Sequence, residues 1–134
     1  MSVGAWEPEK GPKKDSASEE IDRDLLQRLI SAVQSPGPLQ DSLQQDDQQA
    51  AGLMRLPAQR WLDESEHWDG AQLWALIQFF TLAEMQLPGW DAGAESPVIP
   101  LAKALRQRKT PLSREQLLWI KQNSDNRYLP YGPL

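Results

Sequence analysis

One pair of side chains in the sequence has the spacing of metal ligands on a helix. Glu64 is followed three residues later by His67, the only histidine in the chain. Diiron four-helix bundles use this Glu-x-x-His spacing twice, together with further carboxylates, because both side chains then project from one helical turn. A chain with one histidine would need a symmetric dimer to complete such a site. We therefore expect no metal site, and we expect His67 to be an exposed residue near a helix start.

The sequence also lacks the patterns that enzymes use for nucleophilic catalysis and phosphate binding. It contains no cysteine, which excludes thiolate nucleophiles, thiolate metal sites and disulfide bonds. The Gly-x-Ser-x-Gly nucleophile pattern, the P-loop and the glycine pattern of Rossmann folds are absent as well. Carboxylates are abundant, but those at helix starts already have a capping role. We predict a protein that is not an enzyme and that binds no cofactor.

Any functional side chain must be positioned by the elements around residues 69–87, the longest apolar run in the chain. Asp69 and Gln72 form the pattern of a capping box, which marks the start of a helix. Apolar residues then occupy nearly every face of this predicted helix, so neighbouring elements must cover it on several sides. The run is shorter than the roughly 20 apolar residues needed to cross a membrane, and it contains Glu84. We predict a buried central helix and no membrane span.

Five further segments carry helical patterns, and none carries the alternating pattern of a strand. Residues 16–35 begin with a Ser-x-x-Glu capping box and hold an apolar stripe from Ile21 to Val33. The others are residues 39–56, a short helix that starts at residue 57, residues 97–108 and residues 113–122. The sequence thus predicts an all-α fold, a small bundle of five or six helices around the central hydrophobic helix.

The two ends of the chain differ from the rest in composition. Residues 1–15 are rich in Pro, Gly, Lys and Glu, and we expect a disordered tail because they offer little to bury. They also lack the apolar core of a signal peptide, so we expect a cytoplasmic protein. Residues 16–134 are predicted to form a single helical domain. Within it, residues 127–134 combine two prolines with two tyrosines and two leucines, which predicts an extended strap across the core.

Charge is distributed unevenly along the chain. Residues 103–134 hold 7 basic and 2 acidic side chains, whereas residues 1–102 hold 7 basic and 17 acidic ones, for a net charge of −5. Either the basic end folds back on the acidic body, or it meets an acidic partner such as nucleic acid. The candidate nucleic-acid contacts lie in and after two short helices joined by a turn, an arrangement like a helix-turn-helix. They are Lys103, Arg106, Arg108, Lys109, Arg114, Lys121 and Arg127.

The lack of catalytic patterns and the six tryptophans favour a protein that works by binding another macromolecule. Trp, Tyr and Arg dominate the energetics of protein interfaces, although six tryptophans also suit a compact core. We predict a non-enzymatic adaptor or regulator that binds a protein partner through an aromatic patch. The patch residues are Trp61, Trp68, Trp90, Tyr128, Leu129 and Tyr131.

The alternative function is a nucleic-acid-associated regulator that uses the basic residues 103–127. Two features weigh against it. Residues 117–120, Leu-Leu-Trp-Ile, indicate that the second helix of the pair packs into the core, and the negative net charge opposes approach to phosphate. The sequence leaves open whether the chain forms a homodimer.

Overall fold

The computed structural model describes residues 21–87, 89–126, 128, 129 and 131. These residues form an all-helical bundle without strands, so the all-α prediction is confirmed. The predicted tail, residues 1–15, lies outside the described residues. The α-helices are α1 (Arg23–Gln34), α2 (Leu39–Ser42), α3 (Gln45–Gln48), α4 (Ala58–Ser65), α5 (Gly70–Gln86), α6 (Val98–Gln107) and α7 (Arg114–Asn123), and short 3-10 helices lie at Ala51–Arg55 and Gly93–Glu95.

Helix α5 begins where the sequence predicts it and lies at the centre of the bundle. The Asp69 carboxylate accepts a hydrogen bond from the Gln72 amide, and the Gln72 side chain accepts one from the Asp69 amide, which closes the capping box. Helices α1, α2, α6 and α7 all contact α5. The prediction of a buried central helix is therefore confirmed. None of the helices in the described part of the chain has both the length and the apolar content needed to cross a membrane.

Helix α1 begins later than its predicted start at residue 16. Asp22 has extended backbone, and its carboxylate accepts hydrogen bonds from the amides of Asp24 and Leu25. Asp22 fixes the start of the helix because its side chain satisfies two amides that have no partner within the helix. A continuous helix over residues 16–35 is therefore wrong, and the predicted capping box at residues 16–19 lies outside the described residues.

The predicted single helix over residues 39–56 is also wrong. The structure divides this segment into α2, α3 and the first 3-10 helix. Leu43 and Gln44, between α2 and α3, have extended backbone and end the first of these turns. Because two of the pieces are single turns, the described chain contains seven α-helices rather than five or six.

Polar side-chain contacts explain this break. The Asp47 carboxylate accepts hydrogen bonds from Arg28 on α1 at 2.9 and 3.0 Å, which ties α3 to α1. This hydrogen bond raises the pKa of the Arg28 guanidinium. The Gln48 side-chain amide donates to the carbonyls of Gln40 and Leu43 and so takes acceptors that a continuous helix would use. Contacts across the fold have overridden the local helix signal.

Candidate partner-binding surface

The three tryptophans predicted to form a partner-binding patch lie inside the core. Trp61 and Trp90 are 0% exposed and Trp68 is 5% exposed. The Trp61 ring packs edge-on against Phe80 at a centroid distance of 5.2 Å, and the Trp90 ring packs against Phe79 at 5.6 Å. These side chains have almost no contact with solvent, so the three tryptophans of the predicted patch do not form a surface of the folded chain.

Two of the buried indoles keep a hydrogen bond for their polar N–H group. Trp68 Nε1 donates to Glu64 Oε2 at 3.0 Å, and Trp90 Nε1 donates to the Gln48 carbonyl at 2.9 Å. A tryptophan that finds an acceptor can be buried without leaving a polar group unpaired. Their partners lie in α4 and α3, so both indoles also hold neighbouring elements in place.

The Glu64–His67 pair is not arranged as a metal site. Glu64 Oε2 accepts hydrogen bonds from Trp68 Nε1 and from Arg23 Nε, the latter at 2.8 Å, and so connects α4 to α1. His67 is exposed, as predicted. No group of three or more His, Asp or Glu side chains in the described part of the chain is placed to hold a metal ion. Glu64 therefore has a structural role, and His67 faces solvent.

The described residues of the predicted strap pack against the bundle. Leu129 is buried, and Tyr128 and Tyr131 are partly buried. The Arg106 guanidinium lies 4.3 Å from the centroid of the Tyr131 ring, a cation–π contact that holds the strap beside α6. The remaining strap residues, 127, 130 and 132–134, lie outside the described residues.

Asn126 anchors the strap at the end of α5. Its side-chain Nδ2 donates to Glu84 Oε1 at 3.0 Å and to the Gly93 carbonyl at 2.9 Å, and its Oδ1 accepts from the Tyr128 amide at 2.9 Å. A cleft of about 410 Å³ lies beside this anchor, with Met85 among its lining residues. His67 is not among the residues that line this cleft.

The predicted nucleic-acid contacts that the structure describes are all exposed, but two of them also contact protein groups. The Arg108 guanidinium donates from Nη1 to the Trp68 carbonyl at 2.8 Å and from Nη2 to the Ser65 carbonyl. These carbonyls lie at and just after the end of α4, where helical carbonyls have no partner within the helix. Arg108 therefore joins the end of α6 to α4, and Arg106 contacts the Tyr131 ring.

Four of these exposed cations make no ion pair with the described residues and have neither the carbonyl partners of Arg108 nor the ring contact of Arg106. They are Lys103, Lys109, Arg114 and Lys121. Two carboxylates of the acidic body form ion pairs with cations of α1, through Arg23–Glu64 and Arg28–Asp47. In the described chain the basic end is thus not neutralised by the acidic body. Arg127 lies outside the described residues.

Helix α7 is less deeply packed than its sequence predicts. Ser113 and Gln116 close a capping box at its start, as expected. Of the apolar run at residues 117–120, only Ile120 is buried, and Leu118 is 50% exposed. Leu117 and Trp119 are partly buried and pack against the core, so the prediction of a core-packing helix is wrong only for Leu118. Helix α7 rests chiefly on α5, and a helix covered on one side must turn part of any four-residue run outward.

The exposed residues of α7 form one continuous surface, which we call the α7 face. They are Arg114, Glu115, Leu118, Lys121 and Gln122. Arg114, Leu118 and Lys121 follow the spacing i, i+4, i+7 and therefore lie along one line of the helix. Leu117 and Trp119 border the face and are partly buried, and the Trp119 ring packs on Trp74 of α5 at 5.7 Å.

Leu118 is the candidate contact that the sequence reasoning missed. The signal that could have found it is its spacing, since cations four residues before and three residues after place Leu118 on a solvated line. Comparison of the chain with known protein families, with curated proteins and with solved structures finds no match.

Proposed function

We propose that the protein is a non-enzymatic adaptor or regulator that binds a protein partner through the α7 face. One observation carries the proposal: Leu118 is 50% exposed between two cations, Arg114 and Lys121, on a lightly anchored helix. Isolated exposed leucines are ordinary on protein surfaces. Here the partly exposed Leu117 and Trp119 border Leu118 on either side and extend the apolar area.

The composition of the α7 face supports a protein partner. Interfaces favour an apolar centre with arginine and aromatic side chains around it, and they deplete carboxylates at the centre. The α7 face has Leu118 at its centre, Arg114 beside it and Trp119 at its border, while Glu115 lies toward one edge. Contact roles for Tyr128 and Tyr131, which keep partial exposure, remain predictions.

Site-specific photo-crosslinking in the cells that make the protein tests the proposal. The full chain would carry a photoreactive phenylalanine analogue at position 118 and, as a matched control, at the exposed Gln45 of the acidic half. We expect a covalent adduct of discrete mass from position 118 and none from position 45. The adduct should weaken when Arg114 and Lys121 are changed to Glu. Equal adducts at both positions, or none at position 118, would contradict the proposal.

A nucleic-acid-associated regulator is the second candidate, and one observation favours it. Lys103, Lys109, Arg114 and Lys121 are exposed without an ion pair in the described chain. If all four contacted duplex DNA, the slope of log K against log salt would be about −3.6. Titration of duplex and single-stranded oligonucleotides at two salt concentrations measures this slope.

The variant Lys103→Glu/Lys109→Glu separates the two candidates. Both residues lie outside the α7 face, so the variant should leave the crosslink at position 118 unchanged if a protein partner binds there. It should weaken oligonucleotide binding several-fold if phosphate contacts are the function. Loss of the crosslink together with loss of oligonucleotide binding would favour the second candidate.

A further inference from the structure

We infer that the partner segment that binds the α7 face is an acidic amphipathic helix. This inference rests on the proposed function and adds the chemistry of the partner. Three observations support it, namely the unpaired cations, the shape of the apolar surface and the poor fit of a second copy of the chain.

The charge of the α7 face calls for carboxylates in the partner. Arg114 and Lys121 are exposed on either side of Leu118 and make no ion pair with described residues, while Glu115 is the single carboxylate of the face. Like charges brought together across an interface oppose binding, and opposite charges steer the encounter. A partner that covers Leu118 must come close to both cations, so acidic side chains are expected around its apolar contact.

The geometry of the α7 face suits a helix better than an extended peptide. Extended peptides commonly bind by adding a strand to the exposed edge of a sheet, and the described residues contain no strand that could accept one. The line from Arg114 to Lys121 is about 10 Å long, close to two turns of a helix. An apolar stripe on a partner helix would meet Leu118 and the bordering Leu117 and Trp119, with its carboxylates near the two cations.

A second copy of this chain fits the α7 face poorly. In a symmetric antiparallel contact centred on Leu118, Lys121 of one copy would face Glu115 of the other and Arg114 would face Gln122. Each face carries two cations and one carboxylate, so two copies would bring four cations together with two carboxylates, and the excess positive charge opposes the contact. The acidic helix α1 does not serve either, because Leu26 and Leu29 are buried in its own core. A different protein with an exposed acidic and apolar helix is therefore the expected occupant.

Two defined peptides test this inference on the intact protein. Each has about 20 residues, with leucine on one stripe, either glutamate or lysine at the positions that flank the stripe, and alanine and glutamine on the opposite face, so that like charges do not prevent the helix from forming. We expect the glutamate peptide to shift the backbone NMR signals of α7 and to bind at least about tenfold more tightly than the lysine peptide. The variant Arg114→Glu/Lys121→Glu should reverse this preference, whereas Lys103→Glu should preserve it.

Several outcomes would overturn the inference. These are no binding of the glutamate peptide, equal binding of both peptides, or signal shifts outside α7 and its neighbours. A duplex oligonucleotide that competes with the glutamate peptide on α7 and matches its affinity would assign the surface to phosphate instead. If crosslinking at position 118 succeeds while the peptides show no preference, the proposed function stands and only the acidic helix is wrong. Absence of the crosslink removes the proposed function itself.

Discussion

Helices α5 and α7 begin with the same capping motif but pack in different surroundings. Each opens with a capping box, formed by Asp69 and Gln72 in α5 and by Ser113 and Gln116 in α7. Each also holds consecutive apolar residues. Yet α5 buries eight of its 17 residues, whereas α7 buries only Ile120 among its ten.

The difference shows that neighbouring elements, rather than apolar content, decide which side chains are buried. Four helices pack around α5, so its apolar residues meet protein on nearly every side. Helix α7 rests chiefly on α5 and has solvent on its other side. The same kind of apolar run therefore becomes core in one helix and a candidate binding surface in the other.

The largest expected effect comes from making the same substitution in both helices. Leu76 of α5 is fully buried, so Leu76→Ala should lower the free energy of unfolding by about 2–5 kcal/mol through lost burial and a cavity. Leu118→Ala should change it by less than about 0.5 kcal/mol because half of that side chain already faces water. Urea denaturation of both variants measures the difference. Comparable losses would mean that α7 is as deeply packed as α5.

A smaller difference in unfolding free energy is expected between substitutions of Arg108 and Lys103, two cations that the sequence alone does not distinguish. Arg108 donates to the Trp68 and Ser65 carbonyls, while Lys103 on α6 is exposed and makes no ion pair with described residues. Arg108→Ala should lower the free energy of unfolding by about 1.5 kcal/mol, since hydrogen bonds from a charged donor are lost. Lys103→Ala is the control and should stay within about 0.5 kcal/mol. If the two substitutions had equal effects on thermal unfolding, the role of Arg108 in joining α6 to α4 would be refuted.

Much of the fold could be predicted because its main signals are local. The capping boxes at Asp69 and Ser113 fix the starts of α5 and α7, and the apolar content of residues 69–87 requires a central position. The break within residues 39–56 could not be predicted in this way. It depends on Arg28 and Asp47, which are 19 positions apart, and on side-chain hydrogen bonds that exist only after the chain has packed.

The candidate site was less predictable than the fold. Tryptophan suits both cores and interfaces, so its presence in the sequence does not distinguish Trp61, which is buried against Phe80, from the partly exposed Trp119. Similarly, positive charge alone does not reveal that Arg108 donates to two backbone carbonyls while Lys103 has no ion pair with described residues. Burial is a property of the assembled bundle, although the cations four residues before and three residues after Leu118 were a local signal of its exposure.

The helix caps provide the finest test of the comparison between α5 and α7. Asp69→Ala and Ser113→Ala should each lower the free energy of unfolding by about 1 kcal/mol. Their effects on amide hydrogen exchange should differ, because a helix with few buried residues can open without the rest of the bundle. Ser113→Ala should speed exchange of the α7 amides about fivefold. Asp69→Ala should leave those rates unchanged, because α5 stays folded when α7 opens alone and the α5 cap therefore does not enter the free energy of that opening. If Asp69→Ala accelerated exchange in α7 as much as in α5, the two helices would open together. Helix α7 would then be as firmly anchored as the core, and it would not open separately from the rest of the bundle.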